Sequence, residues 1–199
     1  FSGCPLGCVF CQNNNIANAK VGKKISVERL AEIFLEQQDR GALNINLVTP
    51  THYIPQIIKA LELSKNQGMN LPVVYNSGGY EKAEALKLLD GLVDVYLPDM
   101  KYMSPVLAGK YSKAQDYPAA AMAALAEMFR QVGTPVFEVE KPDDNTATDE
   151  DGLIMKRGMI VRHLVLPGCT ADSKAVVKYL YDTYGDDIYM SIMSQYTPM

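Results

Sequence analysis

The chain contains 199 residues, of which 48% are hydrophobic and 21% are charged, and its formal net charge at pH 7 is -4. This size and balance predict a single domain over residues 1–199. The mild acidity, with no basic run longer than Lys23-Lys24, argues against a nucleic-acid partner, and no apolar run approaches the ~20 residues of a membrane helix. The sequence also lacks a signal-peptide pattern, so we expect a cytoplasmic protein that binds neither nucleic acid nor membranes.

Three of the four cysteines stand within eight residues near the start of the chain. Cys4, Cys8 and Cys11 follow the spacing C-x3-C-x2-C, and Pro5 and Gly7 favour a looped backbone between them. Three thiolates at this separation can bind three irons of a small iron–sulfur cluster and leave a fourth iron open for a ligand. The alternatives are a zinc site with a distant fourth ligand and a set of reduced thiols packed in a core.

Beyond this cysteine loop, apolar strands alternate with amphipathic helices. Residues 13–24 are polar and aperiodic, which predicts an extended loop, whereas Ser26 is a typical N-cap for the first helix. Predicted strands cover residues 44–48, 71–75, 92–97, 159–166 and 188–193, and predicted helices cover residues 26–41, 55–68, 81–90, 104–133 in two pieces, and 172–184. Short strands without polar alternation indicate a parallel sheet buried on both faces, and therefore an α/β fold.

The pattern has one internal interruption and two abrupt ends. Residues 136–157 are acidic and rich in turn-forming residues, which predicts a solvated hairpin or a mobile insertion. The chain begins at Phe1, directly before the cysteine loop, and ends soon after the last predicted strand, so we expect a fragment that lacks a first strand and a C-terminal part. Periodicity does not separate a barrel from an open doubly wound sheet, but both place an active site at the carboxyl ends of the strands.

Charged side chains stand at two of these strand ends. Asp99 and Lys101 lie two residues apart, so a continuing strand projects both from the same face. Such a pair suits a ligand with hydroxyls, an ammonium and a carboxylate; the alternative is a structural ion pair at the rim. Arg162 lies inside an apolar run, where its guanidinium needs an anion. His163 then faces the opposite side, where we expect a structural role against the helices.

The cysteine spacing, with the aromatic Phe10 directly before the last cysteine, resembles that of the radical S-adenosylmethionine (radical SAM) enzymes. The run Cys-Val-Phe-Cys-Gln-Asn from Cys8 to Asn13 is similar to that of the pyruvate formate-lyase-activating-enzyme homologues, and the resemblance covers nearly the whole chain. It implies a partial (β/α)6 TIM-like barrel in which the cysteine loop follows a first strand that this fragment lacks. It also implies that Cys4, Cys8 and Cys11 hold a [4Fe-4S] cluster whose open iron binds S-adenosylmethionine.

The activity that this resemblance implies is reductive cleavage of S-adenosylmethionine to a 5′-deoxyadenosyl radical, which activates a glycyl-radical enzyme of the pyruvate formate-lyase type. The implied partners are therefore a protein substrate and a small electron donor such as flavodoxin or ferredoxin. Two alternatives stay open. One is a radical SAM enzyme that acts on another peptide or on a small molecule, and the other is a non-catalytic module that binds zinc or an iron–sulfur cluster.

The resemblance extends to the charged residues at the strand ends. Asp99 and Lys101 match a D-x-K motif that contacts S-adenosylmethionine in the activating enzymes, and Arg162 matches an arginine near the carboxylate of that cofactor. Cys169 is isolated from the cysteine loop, and we interpret it as a turn residue and not as a fourth ligand.

Polar residues at two other strand ends complete the predicted cofactor site. Thr49, Thr51 and His52 stand where many radical SAM enzymes carry a Gly-Gly-Glu motif for the amino group of the cofactor. Asn76 and Ser77 stand where the activating enzyme holds a monovalent cation, and an asparagine in place of an acid weakens such a cation site. The resemblance thus implies a cofactor site built from four strand ends and the cysteine loop.

Overall fold

The computed structural model describes residues 1–139, 152–194 and 196. These ranges contain six strands and seven α-helices, with short 3-10 helices at Thr51–Tyr53 and Lys87–Leu89. The strands are β1 Ile45–Val48, β2 Val73–Ser77, β3 Val95–Pro98, β4 Val136–Val139, β5 Leu153–Leu164 and β6 Tyr189–Met193. The helices are α1 Asn14–Ala17, α2 Val27–Asp39, α3 Ile54–Asn66, α4 Ala83–Leu86, α5 Pro105–Ser112, α6 Tyr117–Val132 and α7 Thr170–Tyr184.

Five strands of the sheet run parallel in the order β1-β2-β3-β5-β6. The 12-residue strand β5 changes partners along its length. Residues 153–157 pair antiparallel with β4, Gly158 and Met159 pair with β3, and residues 160–164 pair in parallel with β6. Because these five strands are parallel, their carboxyl ends meet on the same side of the sheet, and the loops that follow them can share one site.

Helices α2 and α3 illustrate how the sequence produces the helical layer. The Ser26 hydroxyl accepts a hydrogen bond from the Arg29 N–H at 3.1 Å, which satisfies one free donor at the start of α2. Phe34 of α2 is buried against α3, which buries Ile57 and Leu61 in the same core. The apolar faces thus meet at helical spacing. No helix in the described part of the chain is long and apolar enough to cross a membrane.

The predicted α/β fold with a parallel sheet is confirmed, and each of the five predicted strands corresponds to an observed one. Two predictions, one of a loop and one of a helix, differ from the structure. The polar residues 13–24 contain the single-turn helix α1, whose side chains are all partly or fully exposed, and the helix predicted over residues 81–90 is divided into α4 and a 3-10 turn. Both elements are only three or four residues long. A helix this short has no apolar stripe over several turns, so the spacing of apolar residues does not reveal it.

The segment predicted as a hairpin or insertion begins and ends in regular structure. The strand that was predicted to begin at Met159 begins at Leu153, and residues 153–157 form an antiparallel ladder with β4. Lys156 and Arg157 interrupt the apolar pattern, but an antiparallel ladder leaves one face in solvent and so accepts charged side chains. Residues 140–151 lie outside the described residues, and the insertion stays a prediction there.

A close backbone approach joins the loop after β2 to the end of β3. Gly79 has φ +76°, and a Cβ atom at this position would overlap the carbonyl oxygen of Asp99. Gly79 therefore permits both the positive-φ turn and the contact between the two strand ends, because it has no side chain.

We expect Gly79→Ala to lower the free energy of unfolding by about 2–4 kcal/mol, because it adds a steric overlap to the cost of a left-handed backbone. Gly41→Ala is the matched control, since Gly41 has φ +77° but an added Cβ would meet nothing within 4 Å. The control should lose only ~1–2 kcal/mol. Urea unfolding followed by circular dichroism gives both values, and equal losses would contradict the close approach.

Candidate cofactor site

A cavity of about 540 Å³ opens at the carboxyl ends of the parallel strands. The cysteine loop contributes Cys4, Cys8 and Cys11 to its lining. The strand ends contribute six of the predicted cofactor-binding residues, which are Thr49, Asn76, Ser77, Asp99, Lys101 and Arg162. The fold therefore brings together residues that are separated by as many as 158 positions in the sequence.

The cysteine loop is fixed to the end of helix α5 by backbone hydrogen bonds. The Gly7 N–H donates to the Ser112 carbonyl at 3.1 Å, and the Val9 N–H donates to the Tyr111 carbonyl at 2.9 Å. Leu6, directly before Gly7, is buried in the core. These contacts use carbonyls at a helix C-terminus, which have no partner within the helix itself. The loop between Cys4 and Cys8 is thus positioned by α5.

The carboxylate of Asp99 lies between two cationic side chains. Its Oδ2 accepts a hydrogen bond from Lys101 Nζ at 2.6 Å, and its Oδ1 accepts one from Arg162 Nε at 2.9 Å. The Arg162 guanidinium also donates to the Asn76 side-chain oxygen at 2.7 Å. The side chains of Asp99 and Lys101 therefore lie together at the cavity. Asp99 is also the anion that pairs with the Arg162 guanidinium. These three ionised groups carry one surplus positive charge at the cavity, which suits a ligand that contains a carboxylate.

Burial affects the protonation of two groups at this cavity. It disfavours the charge on Lys101, but the Asp99 carboxylate and Cys8 outweigh that effect, so the pKa of Lys101 is raised and the ammonium is retained. Burial also raises the pKa of the Cys4 thiol above its ordinary value, and the neighbouring Cys8 and Cys11 raise it further. Because a metal binds the thiolate, occupation of this loop by a metal releases protons.

The loop after β1 contains three of the residues predicted to bind the cofactor, and their side chains differ in position. Thr49 lines the cavity in a left-handed conformation with φ +50°, and its N–H donates to the Asn76 carbonyl at 2.8 Å. The Thr51 hydroxyl instead donates to Glu81 at 2.7 Å, and the His52 ring lies against Gly3. Of these three predicted residues, Thr49 alone is found in the cavity lining of the described structure. A cofactor contact by Thr51 or His52 stays a prediction.

Glu81 supports the loop after β1 through hydrogen bonds that no sequence motif indicates. It is 5% exposed, and it accepts hydrogen bonds from Thr51 at 2.7 Å and from the Tyr75 hydroxyl at 3.4 Å. Burial raises the pKa of this carboxyl to about 7, although hydrogen bonds from Thr51, Ser77 and Tyr75 oppose the increase. Glu81 thereby links the loop after β1 to the end of β2.

Tyr117 joins the next two strand ends. Its hydroxyl accepts a hydrogen bond from the Lys101 N–H at 2.9 Å, and it lies 2.9 Å from the Gly78 carbonyl and 2.8 Å from the Asp99 carbonyl. The single hydroxyl proton can be donated to either carbonyl. Tyr117 begins an alanine-rich helix, where a tyrosine would be assigned to the core on sequence grounds, and its burial is indeed complete.

His163 faces away from the cavity, as the strand alternation predicts. It is 3% exposed and its Nδ1 lies 2.7 Å from the Met100 carbonyl, which can only accept, so Nδ1 carries the proton. Its ring lines an apolar hollow of about 460 Å³ beside α7. Nε2 has no hydrogen-bond partner among the described residues. The contact with Met100 ties β5 to the end of β3, which fits the structural role that we expect.

Residues 1–141 match the family model of the radical SAM superfamily. The chain belongs to the radical SAM superfamily. It is also 30% identical over 212 aligned residues to an uncharacterized protein of Methanocaldococcus jannaschii, MJ0674, with 100% of this chain and 52% of that protein covered. This radical SAM chain thus spans about half the length of the relative that it matches.

Solved structures share this fold at low sequence identity. SuiB of Streptococcus suis has a TM-score of 0.61 at 13% identity, and the match covers 98% of this chain and 39% of SuiB. SuiB bound to the precursor peptide SuiA has a TM-score of 0.61 at 12% identity, and the match covers 96% of this chain and 37% of SuiB. The protein anSMEcpe with bound AdoMet has a TM-score of 0.60 at 12% identity over 96% of this chain and 49% of its own. These similarities concern the fold, and they are consistent with a partial TIM-like barrel.

The radical SAM superfamily uses a [4Fe-4S] cluster and S-adenosylmethionine, and the donor set of the cavity fits both. Among the described residues, no three His, Cys, Asp or Glu side chains are grouped closely enough to hold one metal ion. A [4Fe-4S] cluster does not require such a group, because each thiolate binds a different iron. The surplus positive charge beside the three cysteines matches the carboxylate of S-adenosylmethionine.

The buried carboxyl of Glu81 predicts a pH-dependent stability. Its pKa rises from an ordinary value of 4.5 to about 7 on folding, so the native protein keeps a proton that the unfolded chain releases. The resulting stabilisation is complete below about pH 4.5 and is lost as the pH rises through about 7. We expect this group to lower the free energy of unfolding by on the order of 3 kcal/mol between pH 5 and pH 8.

The measurement is the difference in free energy of unfolding between wild type and Glu81→Gln, obtained from urea titrations across this pH range. The amide cannot ionise, so the variant should gain stability relative to wild type as the pH rises. Glu84→Gln changes an exposed carboxyl in the following helix and serves as the control. A difference between wild type and Glu81→Gln that stays constant from pH 5 to pH 8 would rule out the titration of this group.

Proposed function

We propose that this chain is the catalytic domain of a radical SAM enzyme that cleaves S-adenosylmethionine reductively. The observation that supports this proposal most directly is the lining of a single cavity. The cluster-type cysteines and the network of Asp99, Lys101 and Arg162 both contribute to it. A site that binds only a cluster would not need Lys101, Arg162 and Asn76 beside the thiols. A site that also binds an amino-acid cofactor needs such groups to bind its carboxylate.

Each side chain has a role that follows from its chemistry. Cys4, Cys8 and Cys11 hold three irons and leave the fourth open. Arg162 and Lys101 are donors for the carboxylate of the cofactor, and Asp99 fixes both of them while it offers lone pairs to an ammonium or a ribose hydroxyl. A reduced cluster held by these cysteines would supply one electron for cleavage of the bond between the sulfonium sulfur and the 5′-carbon of S-adenosylmethionine, which would give methionine and a 5′-deoxyadenosyl radical. The protein contributes orientation and a cavity that limits access by water.

The proposed substrate is a protein or peptide, and the specific target that we propose is a glycyl-radical enzyme of the pyruvate formate-lyase type. Two observations support this choice. The Cys8–Asn13 run is similar to that of the activating enzymes, and SuiB, which shares the fold, is known in complex with a precursor peptide.

The proposed electron donor is a small protein such as flavodoxin or ferredoxin, and the proposed compartment is the cytoplasm. All four cysteines in the structure are free, and the cluster loop requires its thiols in the reduced form. A reducing compartment satisfies this requirement.

The cysteine assignment predicts a selective loss of iron. Cys4→Ser, Cys8→Ser and Cys11→Ser should each lose most of the bound iron and the brown colour after anaerobic reconstitution, because each removes one ligand of the cluster. Cys169→Ser is the matched control, since this partly buried cysteine directly precedes helix α7 outside the cavity lining, and it should reconstitute like wild type. Iron and sulfide analysis with visible absorption measures the result. Retention of colourless zinc in wild type, or equal loss in all four variants, would reject the assignment.

The cationic network predicts the affinity for S-adenosylmethionine. Arg162→Met should weaken binding to the reconstituted protein by about 10- to 100-fold, because a charge-assisted hydrogen bond contributes roughly 1.5–3 kcal/mol. Arg157→Met removes an exposed arginine from the same strand, outside the cavity lining, and should bind the cofactor like wild type. Isothermal titration under anaerobic conditions gives both dissociation constants. Equal affinities in the two variants would show that Arg162 does not contact the ligand.

A further inference from the structure

Two buried hydroxyl groups lie behind the cysteine loop. Ser112 Oγ is 2.9 Å from Cys8 Sγ, and the Tyr102 hydroxyl is 2.8 Å from Ser112 Oγ. Ser112 and Tyr102 are each only 1% exposed, so bulk water does not compete for these contacts. Ser112 is also the last residue of α5, and its carbonyl accepts the hydrogen bond from Gly7 in the loop. The same residue thus holds the loop backbone and contacts one of its sulfur atoms.

The direction of these hydrogen bonds follows from the number of available protons. A metal-bound Cys8 is a thiolate, whose sulfur has no proton and only accepts, so Ser112 must donate to it. The single proton of Ser112 is then committed, and its oxygen must accept from Tyr102. Burial raises the pKa of Tyr102 above its ordinary value, so this hydroxyl keeps its proton and can act as the terminal donor. The bonds therefore run from Tyr102 to Ser112 to Cys8.

We infer that Tyr102 and Ser112 form a hydrogen-bond relay that sets the reduction potential of the cluster through Cys8, an inference that rests on the proposed function because it requires the cluster. Hydrogen bonds to cluster sulfurs are one of the factors that determine such potentials. Neither hydroxyl lines the cavity in the described structure, so both act on the cluster only through Cys8.

The sign of the effect follows from charge. Reduction adds an electron to the cluster, and part of that charge resides on the thiolate sulfurs. A donor at Sγ therefore stabilises the reduced state more than the oxidised state and raises the potential. In the low dielectric of this buried position, the Tyr102 donor polarises the Ser112 hydroxyl and strengthens its bond to sulfur. Removal of either hydroxyl should make the cluster harder to reduce.

The test is the midpoint potential of the reconstituted cluster in the full-length protein, measured without S-adenosylmethionine by a redox titration that is followed by electron paramagnetic resonance. We expect Ser112→Ala to shift the one-electron equilibrium about tenfold toward the oxidised cluster, which is a change of ~59 mV to more negative potential. Tyr102→Phe should shift it in the same direction by less, and Ser112→Thr, which keeps a hydroxyl, should lie closer to wild type than Ser112→Ala.

Two control variants remove buried hydroxyls elsewhere. Ser64→Ala removes a serine hydroxyl that donates to Leu61 in α3, and Tyr96→Phe removes a tyrosine hydroxyl that donates to Gln131. Both should retain the wild-type potential. A purely structural role for Ser112 and Tyr102 would affect the stability of the fold and the amount of cluster bound, but not the potential of the cluster that is present.

The outcomes separate this inference from the proposed function. A cluster whose potential is the same in wild type, Ser112→Ala and Tyr102→Phe overturns the relay and leaves the proposed function intact. A wild-type protein that assembles no cluster overturns both. If Ser112→Ala does not fold, Tyr102→Phe decides the matter, because it leaves Ser112 and the loop contact in place; a potential equal to that of Tyr96→Phe then overturns the relay.

Discussion

The guanidinium of Arg162 is partly buried at the carboxyl end of β5, where a cation without a counterion would be costly. Its two acceptors, Asp99 and Asn76, come from the ends of β3 and β2, so satisfying one partly buried charge fixes the relative position of three strand ends. Lys101 binds the remaining oxygen of the Asp99 carboxylate. Asp99, Lys101 and Arg162 therefore stabilise the end of the sheet and also line the cavity. The same three residues form a structural ion-pair network and offer polar groups to a ligand.

Two buried groups extend this arrangement to the flanking loops. Tyr117 contacts backbone groups of both the loop after β2 and the end of β3, and Glu81 connects the loop after β1 to β2. The cysteine loop is held by its hydrogen bonds to the end of α5, and the residue that precedes it contacts the loop after β1 through the hydrogen bond from Tyr53 to Ser2. The thiols and the cationic network thus lie on two parts of the fold, and the cavity lies where they meet. An amino-acid cofactor that binds an iron and a carboxylate site together would bridge these two parts.

Much of this architecture can be predicted from local sequence patterns. The period of the apolar residues gives the strands and the longer helices, and the cysteine spacing with Asp99, Lys101 and Arg162 gives the centre of the site. Glu81, Tyr102, Ser112 and Tyr117 could not be predicted in the same way, because each acts through contacts with residues distant in sequence and none belongs to a local motif. Strand β5 begins at Leu153, before its predicted start at Met159, because an antiparallel ladder leaves one face in solvent and so accepts the charged side chains that interrupt the apolar pattern. Thr51 could be placed in the turn after β1 from the sequence, but its partner could not. Its hydroxyl donates to the buried Glu81 carboxyl, which no local motif identifies.

The central claim is that this cavity couples a reducible cluster to bound S-adenosylmethionine, and the formation of 5′-deoxyadenosine tests it most directly. The full-length protein would be reconstituted anaerobically, reduced with dithionite and incubated with S-adenosylmethionine, and the products would be quantified by liquid chromatography and mass spectrometry. We predict 5′-deoxyadenosine and methionine in equal amounts from wild type, and neither from a variant that lacks Cys11. A wild-type protein that carries a complete cluster and binds S-adenosylmethionine, but releases no 5′-deoxyadenosine after reduction, would contradict the account.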